Sequence, residues 1–238
     1  MPKWLTYSLL ILLIAGIFFL YGFAQHRYSA RRVQEINIQF SGNETRLINK
    51  ETVSNLLIQN LGNPLNQLNS TINLHGIENE IQQNPMVRNA EVFLLPEGTL
   101  QIDVEQKVPI ARITSPSGHR YMDDHGELMP VSSQYSARVL LVEGVETKQE
   151  LETTFKIIKY IINDEFLDKQ IVGIKKLNNG DYQLDTRLGQ HKILFGNAET
   201  IDQKFTKLKV FYKRMWQDDK LKEYKLLNIK YNKQVVCS

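Results

Sequence analysis

The sequence predicts an α+β protein: a single N-terminal transmembrane helix, a small β-α-α-β-β domain, and a β-rich domain with an antiparallel sheet and helices. Three observations predict this class. Residues 4–24 carry no charge, periodic segments follow between 35 and 105, and strand and hairpin signals dominate after residue 106. The expected divisions are a short cytoplasmic tail, the transmembrane helix, a juxtamembrane linker and two domains, at 1–3, 4–24, 25–34, 35–105 and 106–238.

The apolar run from Trp4 to Ala24 is long enough to span a bilayer. Its 21 residues form a helix of roughly 31 Å at about 1.5 Å per residue, close to the thickness of the hydrocarbon core. Because only residues 1–3 precede the run, we expect nearly all of the chain on one side of the membrane. Long domains translocate largely regardless of flanking charge, so the three arginines after the run do not fix the orientation.

Two other interpretations of this run stay open. A cleaved signal peptide would use the small residues Gly22 and Ala24 before its cut, although its apolar core is usually about 7–15 residues. A buried helix of a soluble protein is the other alternative.

Composition excludes several classes of partner and site. The net charge of +3 is too small to indicate a polyanionic partner, and no nucleic-acid-binding motif accompanies the basic C-terminal region. The single cysteine, Cys237, cannot form an internal disulfide. No glycine-rich phosphate loop or Ser/His/Asp pattern is recognisable, so we expect no cofactor and no small-molecule substrate.

The first domain follows from periodicity and from the residues that begin and end its elements. Asn49 suits the N-cap of the first helix and Gly62 its end, whereas Asn84-Pro85 ends the second helix because proline disfavours α conformation in the residue before it. Pro96-Glu97-Gly98 joins the last two strands in a tight turn. The predicted elements are strand 36–40, helix 49–61, the helix containing 74–81, and strands 87–95 and 100–104.

The second domain is predicted from longer strands, hairpins and two amphipathic helices. Pro109 marks its first strand as an edge or a bulge, because proline cannot donate to a ladder. Asp124-His125-Gly126 and Asn178-Asn179-Gly180 are typical of hairpin turns. The predicted strands are 108–113, 120–130 as a hairpin, 139–142, 171–176, 181–185, 191–195 and 226–235, the last with Leu227, Ile229 and Tyr231 on one face.

The two helices of this domain show apolar stripes at helical spacing. The first is expected at 148–163 and the second at about 199–217. Their apolar positions are Leu151, Phe155, Ile158 and Ile162, then Ile201, Phe205, Leu208, Tyr212 and Met215.

Short motifs along the whole chain resemble the FtsQ/DivIB cell-division proteins, in a form similar to that of Bacteroidetes. The matching pieces are Asn84-Pro85-Met86-Val87, Val104-Glu105 followed by Pro109-Ile110-Ala111, Tyr121-x-Asp123-x-x-Gly126, and Asn228-Ile229-Lys230-Tyr231. Two positions depart from the family pattern. Glu105 and Pro109 are four apart where Glu-x-x-Pro-x-Ala is commoner, and Lys230 stands where arginine is usual.

The resemblance implies a non-enzymatic scaffold of the division septum, with a POTRA domain at 35–105 that helps to localise it. It implies a single-pass type II protein of the inner (plasma) membrane whose bulk is periplasmic. The implied partners are FtsB and, through it, FtsL, together with other divisome membrane proteins. The implied partner-binding residues lie in the final strand: Ile229, Lys230, Tyr231 and Asn232.

The residues suggest a mechanism that fits this implication. A terminal strand at a sheet edge leaves N–H and C=O groups that an extended partner segment can pair with. The C-terminal region is also rich in lysine, which favours either an acidic partner segment or a solvated helix face. Its cations are Lys204, Lys207, Lys209, Lys213, Arg214, Lys220, Lys222, Lys225, Lys230 and Lys233.

Other candidate sites are weaker. His119, Asp123, Asp124 and His125 are metal-ligand residue types, but their spacing fits no known metal motif, and Asp-x-Gly is explained by a turn. No pattern in the sequence singles out Glu105 and Glu127 as a carboxylate pair. Two further functions remain as alternatives, a periplasmic POTRA-type chaperone or assembly factor and an unrecognised anchored hydrolase.

Overall fold

The computed structural model describes residues 3–42, 47–116, 118–189, 191–217, 224–231 and 234–238. The chain divides into two compact units, Met1–Gln106 and Lys107–Ser238. Each unit has a hydrophobic core of its own.

Helix α1 covers Lys3–Ser29, so it extends into the segment predicted as a linker at 25–34. The remainder of that segment is not a solvated spacer either, because Val33 is fully buried and Arg32 forms a β-bridge with Leu68. The buried Val33 side chain and backbone hydrogen bonds from 31–34 to Gln67, Asn69 and Gly98 attach the segment to the first unit. In α1 the described side chains run unbroken only over 10–26. Among the described residues, no helix is long and apolar enough to cross a membrane.

The first unit contains the predicted β-α-α-β-β order. Its elements after α1 are β1 (Glu35–Ser41), α2 (Lys50–Leu61), a 3-10 turn (Asn69–Thr71), α3 (Leu74–Gln82), β2 (Val87–Leu94) and β3 (Thr99–Gln106). The sheet order is β1-β3-β2, in which β1 is parallel and β2 antiparallel to the central strand. The central strand β3 is shielded from solvent by a neighbour on each side. Its residues Leu100, Ile102 and Val104 are fully buried.

Local sequence signals account for the helix ends in this unit. The Asn49 side chain accepts a hydrogen bond of 2.8 Å from the backbone N–H of Thr52, which satisfies one of the unpaired donors at the start of α2. Gly62 ends that helix with a φ of 80°, a conformation that glycine adopts without a Cβ penalty.

The second unit is built on a nine-stranded sheet of order β12-β11-β10-β9-β8-β7-β4-β5-β6. Its strands are β4 (Pro109–Ser115), β5 (Gly118–Asp123), β6 (Leu128–Pro130), β7 (Leu140–Glu143), β8 (Ile171–Lys176), β9 (Tyr182–Thr186), β10 (Lys192–Gly196), β11 (Leu226–Asn228) and β12 (Val236–Cys237). Its helices are α4 (Lys148–Ile162), α5 (Glu165–Gln170) and α6 (Ile201–Gln217).

This sheet is mixed, which corrects the predicted antiparallel sheet. The pairs β4–β7, β7–β8 and β10–β11 are parallel. Strand β7 is joined to β8 through α4 and α5, and β10 is joined to β11 through α6. A helical crossover returns the chain in the same direction, so parallel pairing follows from these connections.

Pro109 lies at a bulge but not on an edge strand. The register of β4 against β5 shifts between Pro109 and Ala111, as the missing N–H of proline predicts. Strand β4 nevertheless lies between β7 and β5 inside the sheet. The pairing with β7 joins segments about 30 residues apart, so local sequence could not show it.

The helices of the second unit were predicted with one omission, α5. A capping box between Thr147 and Glu150 begins α4, and its buried residues are Thr154, Ile157, Ile158 and Ile161. Of the predicted stripe, Ile158 is fully buried, and Leu151, Phe155 and Ile162 are half-buried and pack against the core. Helix α5 has six residues, too few for a periodic pattern. In α6 the predicted seam is confirmed: Phe205, Leu208 and Tyr212 are buried.

Candidate partner-binding edge

Strand β12 forms one end of the nine-stranded sheet, and among the described residues no strand lies beyond it. Leu226 and Ser238 exchange both backbone hydrogen bonds, with N···O distances of 2.9 and 3.0 Å. In antiparallel pairs the next residue turns its N–H and C=O to the opposite side. The backbone of Cys237 therefore faces the open side of the sheet, while its side chain packs against the core.

The final strand ends earlier than predicted. Strand β11 covers Leu226–Asn228, and the chain then leaves the ladder and returns as β12. Ile229 is fully buried and its N–H donates to the carbonyl of Leu194, whereas the Tyr231 side chain is 54% exposed. Leu227 and Tyr231 thus do not share one strand face, which corrects the prediction. Asn232 lies outside the described residues.

The chain after β11 is held by a local turn and by Lys207. The Asn228 side chain accepts a hydrogen bond of 3.1 Å from the backbone N–H of Lys230. Lys207 of α6 binds the carbonyls that follow. Its ammonium group donates to the carbonyl of Ile229 at 3.1 Å and also to the carbonyl of Tyr231. Two carbonyls that a ladder would use are therefore bound by a helix side chain. Burial lowers the pKa of Lys207 from its ordinary value.

Lys230 is held on the other side of the same segment. Its ammonium group lies 2.5 Å from a carboxylate oxygen of Asp181, in the turn between β8 and β9, and this hydrogen bond raises the pKa of Lys230. A Cβ placed on Gly196 would lie 2.6 Å from Cγ of Lys230, so the lysine side chain crosses the strand where residue 196 has no side chain. The candidate residue Lys230 is thus oriented by its own domain.

The basic face of α6 is only partly a solvated surface. Lys204 is 3% exposed, and its ammonium group donates to the carbonyl and the side chain of Asn197 at 2.8 and 2.9 Å. Lys209 contacts Asp164 at 2.6 Å, which raises the pKa of Lys209. These two lysines bind groups of the second unit itself, so their ammonium groups are already engaged and are not available to a partner. Lys213 and Arg214 are exposed.

A buried polar cluster fastens α6 to the sheet. His191, just before β10, is 1% exposed and its Nε2 contacts the Tyr212 hydroxyl of α6. Gln170 of α5 donates to the same hydroxyl at 3.2 Å and to the carbonyl of Leu188 at 3.0 Å. Burial lowers the pKa of His191 and raises the pKa of Tyr212 to about 12, so both groups are neutral near pH 7.

The candidate metal residues form a hairpin turn. One oxygen of Asp123 accepts hydrogen bonds from the N–H groups of His125 and Glu127 at 3.0 and 2.8 Å. Ligand atoms of Asp123, Asp124 and His125 lie within 4.8 Å of one another, but the buried carboxylate is already used by the turn. His119 is elsewhere on β5, where it contacts Thr114 at 3.2 Å.

The two candidate carboxylates, Glu105 and Glu127, belong to different units, and each lies near a cation of its own unit. Glu105 lies 4.0 Å from Arg88, and Glu127 lies 2.7 Å from Lys107. Each carboxylate has a cation of its own.

Sequence reasoning missed the roles of Lys204 and Lys207. The only signal was their position beside the apolar seam of α6, one residue before Phe205 and Leu208. Side chains at that border can place an aliphatic stem against the core and a charge at its rim.

Comparison with known families assigns both units. Residues 108–238 match the family model described as FtsQ/DivIB, C-terminal related, and residues 31–105 match the model of the POTRA-like domain. The first match alone covers more than half of the chain. The chain belongs to the FtsQ/DivIB family. A search of curated proteins finds no match.

Membership in the FtsQ/DivIB family makes this a divisome-associated protein. The domains of both matched families are typically non-catalytic scaffolds. The open β12 edge belongs to the region that carries the FtsQ/DivIB match.

Proposed function

We propose that this protein is a non-catalytic scaffold of the divisome that binds FtsB- and FtsL-type division proteins through the free edge of β12 and supports septum assembly. The observation that carries the proposal is the open edge of β12, which follows a connection from β11 that exposes the side chain of Tyr231. An incoming extended segment would pair with the outward N–H and C=O of Cys237 and continue the sheet by β-augmentation.

Exposed cations on the strands at this end of the sheet favour an acidic partner segment. Lys225 donates its backbone N–H to the terminal residue Ser238, and Lys192 is paired in register with Leu226. Both lysine side chains are exposed. Charge complementarity would steer the encounter and fix the register of the added strand. The source of complementarity is then these lysines and not the internally bound lysines of α6.

The proposal places residues 4–24 in the inner membrane, with the bulk of the chain in the periplasm as a single-pass type II protein at the septum. Support comes from the apolar side chains that α1 exposes, for example Leu12 at 73% and Phe19 at 74%. Large apolar side chains exposed side by side are typical of surfaces that meet lipid or protein. The domain at 35–105 would help localisation, and the domain at 106–238 would bind the partner.

The test is the affinity of the full chain for an FtsB-type segment after the substitution Tyr231→Glu. We expect binding to weaken at least tenfold, because an aromatic contact is lost and a charge opposes an acidic partner. Fluorescence anisotropy with a labelled segment measures this directly.

The matched control is Tyr135→Glu, since Tyr135 is 39% exposed in the segment between β6 and β7. Its affinity should equal that of the unchanged chain. Equal affinity of the two variants would show that Tyr231 is not part of the interface.

A further inference from the structure

We infer that Lys207 is a positioning residue for the partner-binding edge: it holds residues 229–231 so that Tyr231 faces outward and β12 returns in register. This inference rests on the proposed function for the role of the edge. It adds a residue that the edge depends on and that need not touch the partner.

The first step is geometric. The Lys207 ammonium group donates to the carbonyl oxygens of Ile229 and Tyr231, which lie two residues apart on the same segment. Binding at both points fixes the backbone direction across Lys230. The N–H groups of Ile229 and Lys230 are bound by Leu194 and Asn228, so Lys207 supplies the contacts on the carbonyl side of the segment.

The second step concerns Tyr231. Its carbonyl is bound on the inner side by Lys207, while its side chain is 54% exposed. The bond therefore fixes the backbone from which the exposed side chain projects. An exposed aromatic ring that is held at its backbone loses less conformational freedom when a partner binds.

The third step concerns β12. This strand contains two residues, Val236 and Cys237, and it pairs with Asn228 and Leu227 of β11. So short a ladder has little stability of its own. The segment that Lys207 holds begins directly after β11, so its path limits where the returning chain can meet that strand.

A second fastening acts on the opposite side, where Lys230 pairs with Asp181. Its two side chains are 45% and 18% exposed, so solvent screens the pair. Lys207 is half-buried and bonds to backbone rather than to another side chain. It is therefore the more restrictive of the two contacts.

The experiment compares Lys207→Met and Lys207→Arg in the full chain. Methionine keeps an unbranched stem without a donor, and arginine restores donors that can reach two carbonyls. We expect hydrogen exchange of peptides covering 226–231 and 234–238 to accelerate about tenfold in the methionine variant. A loss of one charge-assisted hydrogen bond has about this size. Binding of the FtsB-type segment should weaken by a similar factor.

The arginine variant should stay within about twofold of the unchanged chain in both measurements. Lys213→Met, on the same helix but exposed, is the matched control and should change neither. Exchange in peptides from 109–123 reports whether the second unit remains folded.

The outcomes separate the two ideas. Unchanged exchange at 226–238 in Lys207→Met overturns the inference, whatever the affinity. Faster exchange with unchanged affinity overturns it as well, because the edge would then not need positioning. Failure of the unchanged chain to bind the segment refutes the proposed partner, and the exchange measurement still decides whether Lys207 holds the segment.

Discussion

Replacing Tyr212 by phenylalanine tests whether the buried polar cluster fastens α6. The substitution removes the hydroxyl that contacts Nε2 of His191 and accepts from Gln170 at 3.2 Å. Tyr212 and His191 are each 1% exposed, so water does not replace the lost partner. Two hydrogen bonds are worth about 1 kcal/mol each, and a buried group left unpaired costs about 1–3 kcal/mol. We expect the second unit to lose about 3 kcal/mol of unfolding free energy.

A loss of about 3 kcal/mol lowers the melting temperature of a unit of this size by roughly 10 °C. The measurement is hydrogen exchange of peptides from 191–217 at increasing urea concentration, which reports on the second unit alone. Tyr160→Phe is the matched control, because Tyr160 stacks on Phe205 at a centroid distance of 5.0 Å and is half-buried. We expect it to cost less than about 0.5 kcal/mol. Equal losses in the two variants would refute the assigned role of the Tyr212 hydroxyl.

Two further predictions concern acid stability and membrane attachment. Burial lowers the folded-state pKa of His191 below its ordinary 6.5, so the unfolded chain binds the proton more readily than the folded chain. The stability linked to neutral His191 is therefore complete above pH 6.5. It is lost as the pH falls from there toward the folded-state pKa. We expect the urea midpoint of the second unit to decrease as the pH is lowered from 7.5 to about 5.5, and to decrease less in His191→Leu. An equal decrease in the two chains would exclude His191 as the cause. After extraction with alkaline carbonate, the full chain should stay in the membrane pellet and a chain with 4–24 replaced by a cleavable signal should be released; release of the unchanged chain would contradict an anchor at 4–24.

The sequence predicted those parts of the fold that depend on neighbouring residues. Asn49 caps α2, and Asn178-Asn179-Gly180 lies between β8 and β9, because a side chain or a glycine beside the turn determines each feature. The bulge at Pro109 belongs to the same class, since it follows from one missing N–H. These signals act over about four residues, which is the range that a single sequence shows.

Features that depend on distant pairing were predicted poorly. Parallel pairing of β4 with β7 and the central place of β4 follow from tertiary arrangement. The end of β11 at Asn228 combines both kinds of feature. The Asn228 side chain accepts a hydrogen bond of 3.1 Å from the N–H of Lys230, which is local, whereas Lys207 binds the next carbonyls from a helix about 20 residues earlier. At the candidate edge, the motif was enough to select Tyr231 as a candidate residue. The exposure of its side chain and the hydrogen bond from Lys207 to its carbonyl could not be predicted from the sequence.

The nine-stranded sheet ends in two very short strands, β6 with three residues and β12 with two. Strand β6 closes on Pro130, which offers no N–H to another chain. A long exposed edge strand offers many unpaired N–H and C=O groups and promotes aggregation. An edge strand of two or three residues offers few such groups to another chain. The proposed docking edge is therefore short enough to template little self-association on its own.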